Sequence, residues 1–230
     1  MTCIIIPAYN EDIQPLHELL ESLAELGYAL ILIDDGSEPA VPVHAGAYLI
    51  RHQRNLGQGA ALQAGMDKAL ALGATYAVHF DADGQHRPAD LPALLEPLYC
   101  GECDVVLGSR FLQKESIRQI PWPRRQLLRM ARLYQGILLG LWLSDAHNGL
   151  RAMNARALRA IRLYEPGRAH ASEFVLALRA AGLRYREAAV CIRYPAFTHK
   201  KPPGAWELIK LAWQVAMMSI RYKKTDIPQT

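Results

Sequence analysis

The sequence contains no apolar run long enough to cross a membrane. A spanning helix needs roughly 18 to 20 consecutive apolar residues, and the best candidate, residues 136–143, is much shorter. The first residues also carry no basic stretch ahead of an apolar one, so we expect no secretion signal. These absences predict a cytoplasmic protein, with peripheral attachment to the cytoplasmic face of a membrane left open.

Two glycine-rich phosphate-binding signatures are absent as well. The stretch Gly57-Gln58-Gly59 lacks the third glycine of the dinucleotide motif, because Leu62 stands in its place, and the P-loop pattern does not occur. Signatures of helix-turn-helix, zinc-finger and RNA-recognition modules are also missing. We therefore expect neither a dinucleotide cofactor nor a nucleic-acid partner.

The cysteines are too few and too scattered for a zinc site. Of the four, only Cys100 and Cys103 have paired spacing, and no second pair completes a metal-binding set. The pair follows a predicted helix instead of preceding one, so neither thiolate is activated by a helix amino terminus. Reduced thiols in a cytosolic protein are the expected state.

The charge is small in sum but uneven along the chain. The formal net charge is +4, yet seven basic residues and a single acid, Glu115, lie between positions 110 and 132. The basic residues are Arg110, Lys114, Arg118, Arg124, Arg125, Arg129 and Arg132. This segment predicts an anionic partner, such as a diphosphate, a lipid phosphate or an anionic membrane surface.

Short apolar segments alternate with helix-like segments through the first half of the chain. Strands are predicted at 3–6, 29–33, 48–51, 76–80 and 105–107, and helices at 16–26, 59–72 and 91–99. The alternation predicts an α/β fold with a mostly parallel central sheet flanked by helices. The second half is basic and helix-rich, with helices predicted at 126–142, 170–181 and 205–222, a strand at 185–194 and a polar turn at 145–153.

Two carboxylates, Asp81 and Asp83, directly follow the predicted strand at 76–80. If the strand continues through them, both side chains point the same way, and the small Ala82 leaves room for a ligand. Ligands of open α/β sheets bind beyond the carboxyl ends of the strands. Paired carboxylates at that place suit a hard divalent cation with a bound phosphate, which predicts nucleotide chemistry.

Further polar clusters stand close to the ends of predicted strands: Pro7-Ala8-Tyr9-Asn10-Glu11, Asp34-Asp35-Gly36-Ser37, Asn55-x-Gly57, Gly108-Ser109-Arg110 and Asp145-x-x-Asn148-Gly149-Leu150-Arg151. Together with Asp81-Ala82-Asp83, and in their order along the chain, they resemble family 2 glycosyltransferases of the GT-A fold. The resemblance is closest to the branch of dolichol-phosphate and polyprenyl-phosphate mannosyltransferases, in which Asp-Ala-Asp-x-Gln is typical. It covers about residues 3 to 200.

The resemblance implies a Rossmann-like GT-A fold and a division of the chain. Residues 1–200 would form the glycosyltransferase domain, with the nucleotide-binding half at about 1–110 and the acceptor half at about 111–200. Residues 201–230 lie beyond the resemblance, and their own apolar pattern predicts an amphipathic helix and tail. That helix would pack on the core, on another copy in a homo-oligomer, or on a membrane surface.

The resemblance also implies which residues bind the donor, a nucleotide sugar of the UDP or GDP type. Pro7, Ala8, Tyr9 and Glu11 would line the nucleotide pocket. Asp35 would accept a hydrogen bond from the base.

The implied cofactor is Mg²⁺ or Mn²⁺ on the donor diphosphate. Asp83 would hold the ion, with Gln85 as a further ligand. Asp81 would contact the ribose or the ion, with Ala82 beside it. A bound cation would stabilise the negative charge that develops on the leaving diphosphate.

The implied reaction is an inverting transfer of the sugar to a lipid-phosphate or glycan acceptor. Arg110 would bind a phosphate or the acceptor, and Glu173 would be a catalytic acid near the acceptor. A hydroxyl acceptor needs a general base, whereas a phosphate acceptor is already ionised and needs none. Glu173 is therefore either the base or a partner in a structural ion pair with a nearby arginine.

Two other functions share parts of this pattern. A sugar-phosphate nucleotidyltransferase would use a similar nucleotide-binding fold, but the glycine-rich loop expected after its first strand is absent. An inactive nucleotide-binding scaffold would have no need of the acidic cluster, and that cluster is intact.

Overall fold

The computed structural model describes residues 1–112, 122, 126, 129–130, 133, 136–137, 140–145, 148–167, 169–192, 214–218 and 222. Most of the predicted tail at 201–230 therefore lies outside the described residues. So do five residues of the basic segment: Lys114, Arg118, Arg124, Arg125 and Arg132. The described residues of the predicted helix at 126–142 are helical up to Ile137.

Seven strands form one sheet. They are β1 Thr2–Ala8, β2 Ala29–Asp34, β3 Ala47–Arg51, β4 Tyr76–His79, β5 Val105–Ser109, β6 Arg151–Asn154 and β7 Tyr185–Ala189. Their spatial order is β3-β2-β1-β4-β6-β5-β7, and every pairing is parallel except those of β6 with β4 and β5. The predicted mostly parallel α/β sheet is confirmed.

The strand β6 corrects the prediction of a polar turn at 145–153. Ala152 and Met153 are fully buried, and Arg151 is 3 % exposed although it is charged. The strand was not predicted because Arg151 made the segment look polar, and a buried arginine is rare. Since β6 runs against its neighbours, its first residue pairs with His79 at the carboxyl end of β4. The preceding loop with Gly149 is thereby placed beside Asp81.

Five helices whose full extent lies among the described residues cover the two faces of the sheet. They are α1 Ile13–Glu25, α2 Gln58–Ala71, α3 Leu91–Tyr99, α4 Ala155–Ala160 and α5 His170–Ala180. Alternate residues of β1 point to opposite faces, so Ile5 packs with α2, α4 and α5, whereas Ile4 packs with α1 and α3. Among the described residues, no helix has both the length and the apolarity that a membrane span requires.

Candidate active site

A cleft of about 420 Å³ opens at the carboxyl ends of β1, β2 and β4 and at the amino end of α2. Its lining residues are Pro7, Ala8, Tyr9, Asn10, Glu11, Asp35, Asn55, Gly57, Gln58, Ala61, Asp81, Ala82 and Asp83. The predicted nucleotide-binding residues other than Arg110 are in this set, as are both predicted metal-binding carboxylates. Gln85, Arg110 and Glu173 are not among the described lining residues.

The loop after β1 is fixed to the loop after β2 through Asn10. The Asn10 N–H donates to Ser37 Oγ at 3.0 Å, and Asn10 Oδ1 accepts from the Glu38 N–H at 2.8 Å. Asn10 has a φ of 50°, in the left-handed region that asparagine tolerates better than most residues. This arrangement leaves Tyr9 46 % exposed at the rim of the cleft.

Asp35 is a buried carboxylate that holds the connection between β3 and α2. It accepts hydrogen bonds from the N–H groups of Leu56 at 2.9 Å and Gly57 at 2.8 Å, and it contacts His52 Nδ1 at 2.6 Å. A carboxylate offers about four acceptor positions, so one further donor can still be accommodated. A nucleobase N–H would be such a donor.

Asp81 is held on three sides. Gln58 Nε2 donates to its Oδ1 at 2.8 Å, and His86 Nε2 lies 3.2 Å from its Oδ2. The backbone of Gly149 lies so close that a Cβ at that position would overlap the Asp81 carboxylate. The side chain therefore has a fixed orientation, and position 149 requires glycine because of this close approach.

A buried basic group lies behind Asp81. The Arg151 guanidinium stacks 4.6 Å from the ring centre of Phe174, and burial lowers its pKa to about 10, so it stays charged at neutral pH. Burial, aided by the charges of Arg151 and His170, lowers the pKa of His79 to about 3, so this histidine is neutral.

This basic group bears on the ionisation of Asp81. Burial raises the pKa of Asp81, but the hydrogen bond from His86 and the charges of His86, His170 and Arg151 outweigh burial and hold the pKa below its usual value. Asp81 is therefore an anion at neutral pH.

Asp83 enters the cleft from a bend and not from a strand. Because β4 ends at His79, the expectation that Asp81 and Asp83 alternate along a continuing strand is wrong. Asp83 Oδ1 accepts from the Gln85 N–H at 3.1 Å, a turn that aspartate stabilises by bonding the chain two residues on. The buried Ala82 anchors this bend, and the two carboxylates still line the same cleft.

The two carboxylates of Asp81 and Asp83 fit a hard divalent cation. Mg²⁺ is usually bound through one or two carboxylates, together with waters and substrate phosphates. Among the described residues, no group of three histidine, cysteine, aspartate or glutamate side chains is placed to hold an ion. An ion at Asp81 and Asp83 would thus be completed by oxygens of the donor, by water, or by the Gln85 amide.

Arg110 lies at the end of β5 in a pair with Asp145. Its Nε and Nη2 donate to the two carboxylate oxygens at 2.6 and 2.8 Å, and its backbone N–H donates at 3.1 Å. The loop carrying Asp145 is fixed in turn by Glu187, which accepts from the N–H and the Oγ of Ser144. The side chain of Arg110 is 10 % exposed, and its predicted role in phosphate binding stays a prediction.

Glu173 is buried in α5, as its helical position predicted, with 3 % of its surface exposed. Its Oε2 accepts the backbone N–H groups of Tyr164 and Glu165, each at 2.9 Å. Burial raises its pKa even though these two hydrogen bonds act in the opposite direction. Both of these partners are backbone groups, whereas the sequence suggested an arginine, and the catalytic role of Glu173 stays a prediction.

Five residues of the cleft have no site role predicted from the sequence: Asn10, Asn55, Gly57, Gln58 and Ala61. A signal for Gln58 was available in Gly57-Gln58-Gly59, which opens a helix after a predicted strand. The dinucleotide motif around it is incomplete, because Leu62 replaces the third glycine. Both glycines are needed for another reason, since a Cβ at either position would overlap the backbone of residues 165–166.

Comparison with known proteins decides the family. The sequence profile described as "Glycosyl transferase family 2" matches residues 3–162, well over half of the chain. The chain belongs to glycosyl transferase family 2. It is therefore a glycosyltransferase, as the ordered motifs predicted.

Two relatives of this family 2 chain are named for dolichyl-phosphate or polyprenol compounds. One is the UDP-N-acetylglucosamine–dolichyl-phosphate N-acetylglucosaminyltransferase of Methanococcus voltae, 29% identical over 179 residues that cover 69% of this chain and 71% of the relative. The other is the polyprenol monophosphomannose synthase of Mycolicibacterium smegmatis, 33% identical over 172 residues that cover 70% of this chain and 64% of the relative. They confirm the resemblance to the polyprenyl-phosphate branch.

The fold of this family 2 chain is also found in solved structures. Glucosyl-3-phosphoglycerate synthase from Mycobacterium tuberculosis, solved with uridine diphosphate, aligns with a TM-score of 0.67. The alignment covers 100% of this chain and 82% of that one at 21% identity. The GT-A fold is thereby confirmed.

Proposed function

We propose that the chain transfers a sugar from a nucleoside-diphosphate sugar to a polyprenyl phosphate, with inversion of the anomeric centre and with a divalent cation. The observation that carries this proposal is the cleft in which Asp35, Asp81 and Asp83 meet at the carboxyl edge of the sheet. The M. voltae relative is named for a UDP-sugar donor and a dolichyl-phosphate acceptor, and the M. smegmatis relative for a polyprenol product.

The donor would lie along the cleft from Asp35 to Asp83. Asp35 can accept one more hydrogen bond, which suits an N–H on the edge of uracil or guanine. Tyr9 offers an exposed aromatic face at the rim. Asp81, already fixed by Gln58 and His86, would face the ribose and the diphosphate.

Asp83 and Asp81 would hold the divalent cation on the donor diphosphate. When bound, Mg²⁺ or Mn²⁺ supplies positive charge that stabilises the leaving nucleoside diphosphate. A GT-A structure of glucosyl-3-phosphoglycerate synthase contains Mn²⁺ together with UDP-glucose, which supports such an ion here. The residues themselves contribute a rigid, anionic binding edge, because Asp81 is oriented and ionised before the donor arrives.

A phosphate acceptor matches the described site better than a hydroxyl acceptor. A phosphate oxygen is already anionic and can attack the sugar without a base. The acid predicted near the acceptor, Glu173, is buried against backbone N–H groups. In a single displacement, the acceptor oxygen forms a bond to the anomeric carbon while the bond to the diphosphate breaks, which inverts that carbon.

A lipid acceptor calls for contact with a membrane surface. Among the described residues between 122 and 137, Trp122, Met130 and Ile137 are each more than 60 % exposed, and the exposed Arg129 lies next to Met130. Exposed aromatic and aliphatic side chains beside arginine are typical of interfacial binding to anionic lipid. Flotation with anionic liposomes at low salt tests this part of the proposal, and failure to float would contradict it.

The function is tested with polyprenyl phosphate and radiolabelled UDP- and GDP-sugars, in Mn²⁺ or Mg²⁺. We expect labelled sugar in the lipid fraction and release of the nucleoside diphosphate. Release of inorganic diphosphate would instead indicate a nucleotidyltransferase. The absence of binding to UDP, GDP, CDP or dTDP with Mn²⁺, measured by calorimetry, would contradict an enzymatic role.

A further inference from the structure

We infer that Glu173 is a positioning residue for donor binding and not a general base. It acts through segment 162–167, hereafter the brace, on the amino end of α2, and from there on Asp35 and Asp81. This inference rests on the proposed function for the identity of the ligand. The contact chain itself is independent of that function.

The first link runs from Glu173 to the brace. Glu173 Oε2 accepts two consecutive backbone N–H groups, those of Tyr164 and Glu165, at 2.9 Å each. Two N–H groups that converge on one oxygen force the backbone of the brace into a turn around the carboxylate. His170, one turn earlier in α5, adds a second anchor, because its Nδ1 lies 2.8 Å from the carbonyl oxygen of Gly167.

The second link runs from the brace to α2. The brace lies along the first turns of this helix: Arg162 pairs with Asp67, the Leu163 N–H donates to Gln63 Oε1 at 2.8 Å, and the Gly59 N–H donates to the Pro166 carbonyl at 3.0 Å. The contact is closest at the amino end of α2. A Cβ on Gly57 or Gly59 would overlap the carbonyl groups of the brace.

The third link runs from the amino end of α2 to the cleft. The Gly57 N–H donates to Asp35 Oδ2 at 2.8 Å, and the Gln58 side chain donates to Asp81 Oδ1 at 2.8 Å. Two adjacent residues of one helix start therefore bond the two carboxylates that the donor is proposed to contact. A shift of this helix start would disturb the base end and the ribose end of the donor site together.

The burial of Glu173 argues against a base. A base must come within hydrogen-bond reach of the proton that it removes. Glu173 is 3 % exposed, is not among the described residues of the cleft, and uses one oxygen for two backbone donors. A buried carboxylate satisfied in this way has a structural task that an uncharged acceptor of the same shape can perform.

Two substitutions separate the roles. Glu173→Gln keeps an oxygen that can accept both N–H groups but cannot act as a base, whereas Glu173→Leu removes the acceptor. Asp104→Leu is the matched control, since Asp104 is a buried carboxylate that accepts the Arg184 N–H at the opposite edge of the sheet. Gln63→Met removes the acceptor of the Leu163 N–H and so loosens the brace from the α2 side. It leaves Glu173 in place and serves in case Glu173→Leu does not fold.

Hydrogen–deuterium exchange is measured first, without ligand. We expect amides of residues 57–59 and 163–165 to exchange at least about tenfold faster in Glu173→Leu, and severalfold faster in Gln63→Met, because each loses hydrogen bonds that protect them. Glu173→Gln and Asp104→Leu should leave these amides protected. Unchanged exchange in both Glu173→Leu and Gln63→Met would overturn the contact chain, whatever the protein binds.

Donor binding and turnover are then measured on the same proteins, with UDP and GDP in Mn²⁺ as probes. Glu173→Leu should weaken nucleotide binding by about 10- to 100-fold, the effect of losing hydrogen bonds to charged groups. Glu173→Gln should bind within about twofold of the wild type. Faster exchange with unchanged affinity in Glu173→Leu would overturn the positioning role.

The turnover of Glu173→Gln shows whether Glu173 acts as a general base. Loss of a general base lowers kcat by about 10²–10⁴-fold, whereas we expect a decrease of less than about tenfold. A larger decrease with unchanged donor affinity would overturn the inference. If the wild type binds no nucleotide, the proposed function fails, and the exchange data alone then decide whether Glu173 holds the brace.

Discussion

The two edges of the central sheet both hold buried carboxylates, but the partners of these carboxylates differ. At the amino edge, Asp104 contacts Arg184 and Arg156, and its pKa falls to about 2, as the hydrogen bonds and charge of Arg184 outweigh burial. At the carboxyl edge, Asp34 and Asp145 also pair with arginines, but the cleft carboxylates Asp35 and Asp81 are bound directly by backbone N–H groups, a glutamine amide and histidines.

The difference separates a structural carboxylate from one available to a ligand. An arginine pair compensates the negative charge within the protein, and little potential is left to attract a cation. Backbone N–H groups and an amide orient a carboxylate without a directly paired guanidinium, so more of its negative charge is left for a ligand. The cleft lies at the carboxyl edge and is lined by Asp35, Asp81 and Asp83, whereas Asp104 is not among its described lining residues.

The largest expected effect comes from Asp83→Ala. Loss of the proposed cation ligand should decrease turnover by at least about 10³-fold, which corresponds to the several kcal/mol that a bound metal contributes. The melting temperature should change little, because Asp83 lies in a partly exposed bend. Activity assays and calorimetry measure the two quantities, and Asp104→Asn is the control that should keep its activity.

Full turnover of Asp83→Ala in the presence of a chelator would contradict the assignment of the cation site. It would leave Asp35 and Asp81 as the cleft carboxylates to which a ligand-binding role is still assigned.

Asp104→Asn should decrease stability and leave turnover unchanged, which is the opposite of Asp83→Ala. We expect a loss of about 2–3 kcal/mol in the free energy of unfolding at pH 7, since the pKa of Asp104 lies about two units below its ordinary value. The folded-state pKa is depressed, so this stabilisation is present above about pH 4 and is lost as the pH falls towards about 2. Urea denaturation at pH 7 and pH 3 measures it, and unchanged nucleotide affinity is required.

Acid should decrease the stability contributed by His79, at the carboxyl edge, at a higher pH than the stability contributed by Asp104, at the amino edge. Burial keeps His79 neutral with a pKa of about 3, whereas an unfolded histidine titrates near 6.5. The unfolded state therefore binds more protons below about pH 6.5, and stability falls as the pH falls. At pH 5 the loss should be about 2 kcal/mol relative to pH 7 in metal-free buffer.

His79→Met should remove most of this decrease between pH 7 and pH 5, whereas the exposed His17→Met should not. An identical slope in wild type and His79→Met would show that other groups cause the acid sensitivity. Denaturation curves at the two pH values provide the test.

The sequence was sufficient for most of the sheet because its strands are uninterrupted apolar runs. β1, β2 and β5 were recognisable from residues such as Ile5, Ile31 and Val106, which are fully buried. It was insufficient for β6, where Arg151 occupies a core position next to His79, the carbonyl of Asn148 and the ring of Phe174. Such compensation between distant residues leaves no local pattern.

In the candidate site, too, local sequence patterns were predictable and contacts between distant residues were not. Asp35, Asp81 and Asp83 could be located because each follows a predicted strand, and strand ends converge in a parallel sheet. The link from Glu173 to Gln58 could not be located, since it passes through backbone groups of the brace that any sequence could supply. Side-chain chemistry was therefore predictable, and backbone-mediated positioning was not.

The smallest expected effect concerns Asp67, which pairs with Arg162 on the brace and so tests whether an arginine partner alone makes a carboxylate structural. Both side chains of this pair are about half exposed, unlike Asp104. Water and salt screen an exposed ion pair, and such pairs contribute about 0–1 kcal/mol. Asp67→Asn should thus change the free energy of unfolding by less than about 1 kcal/mol, and the difference should shrink further in about 1 M salt. A loss as large as that of Asp104→Asn would mean that pairing with arginine, and not burial, sets the contribution of these carboxylates.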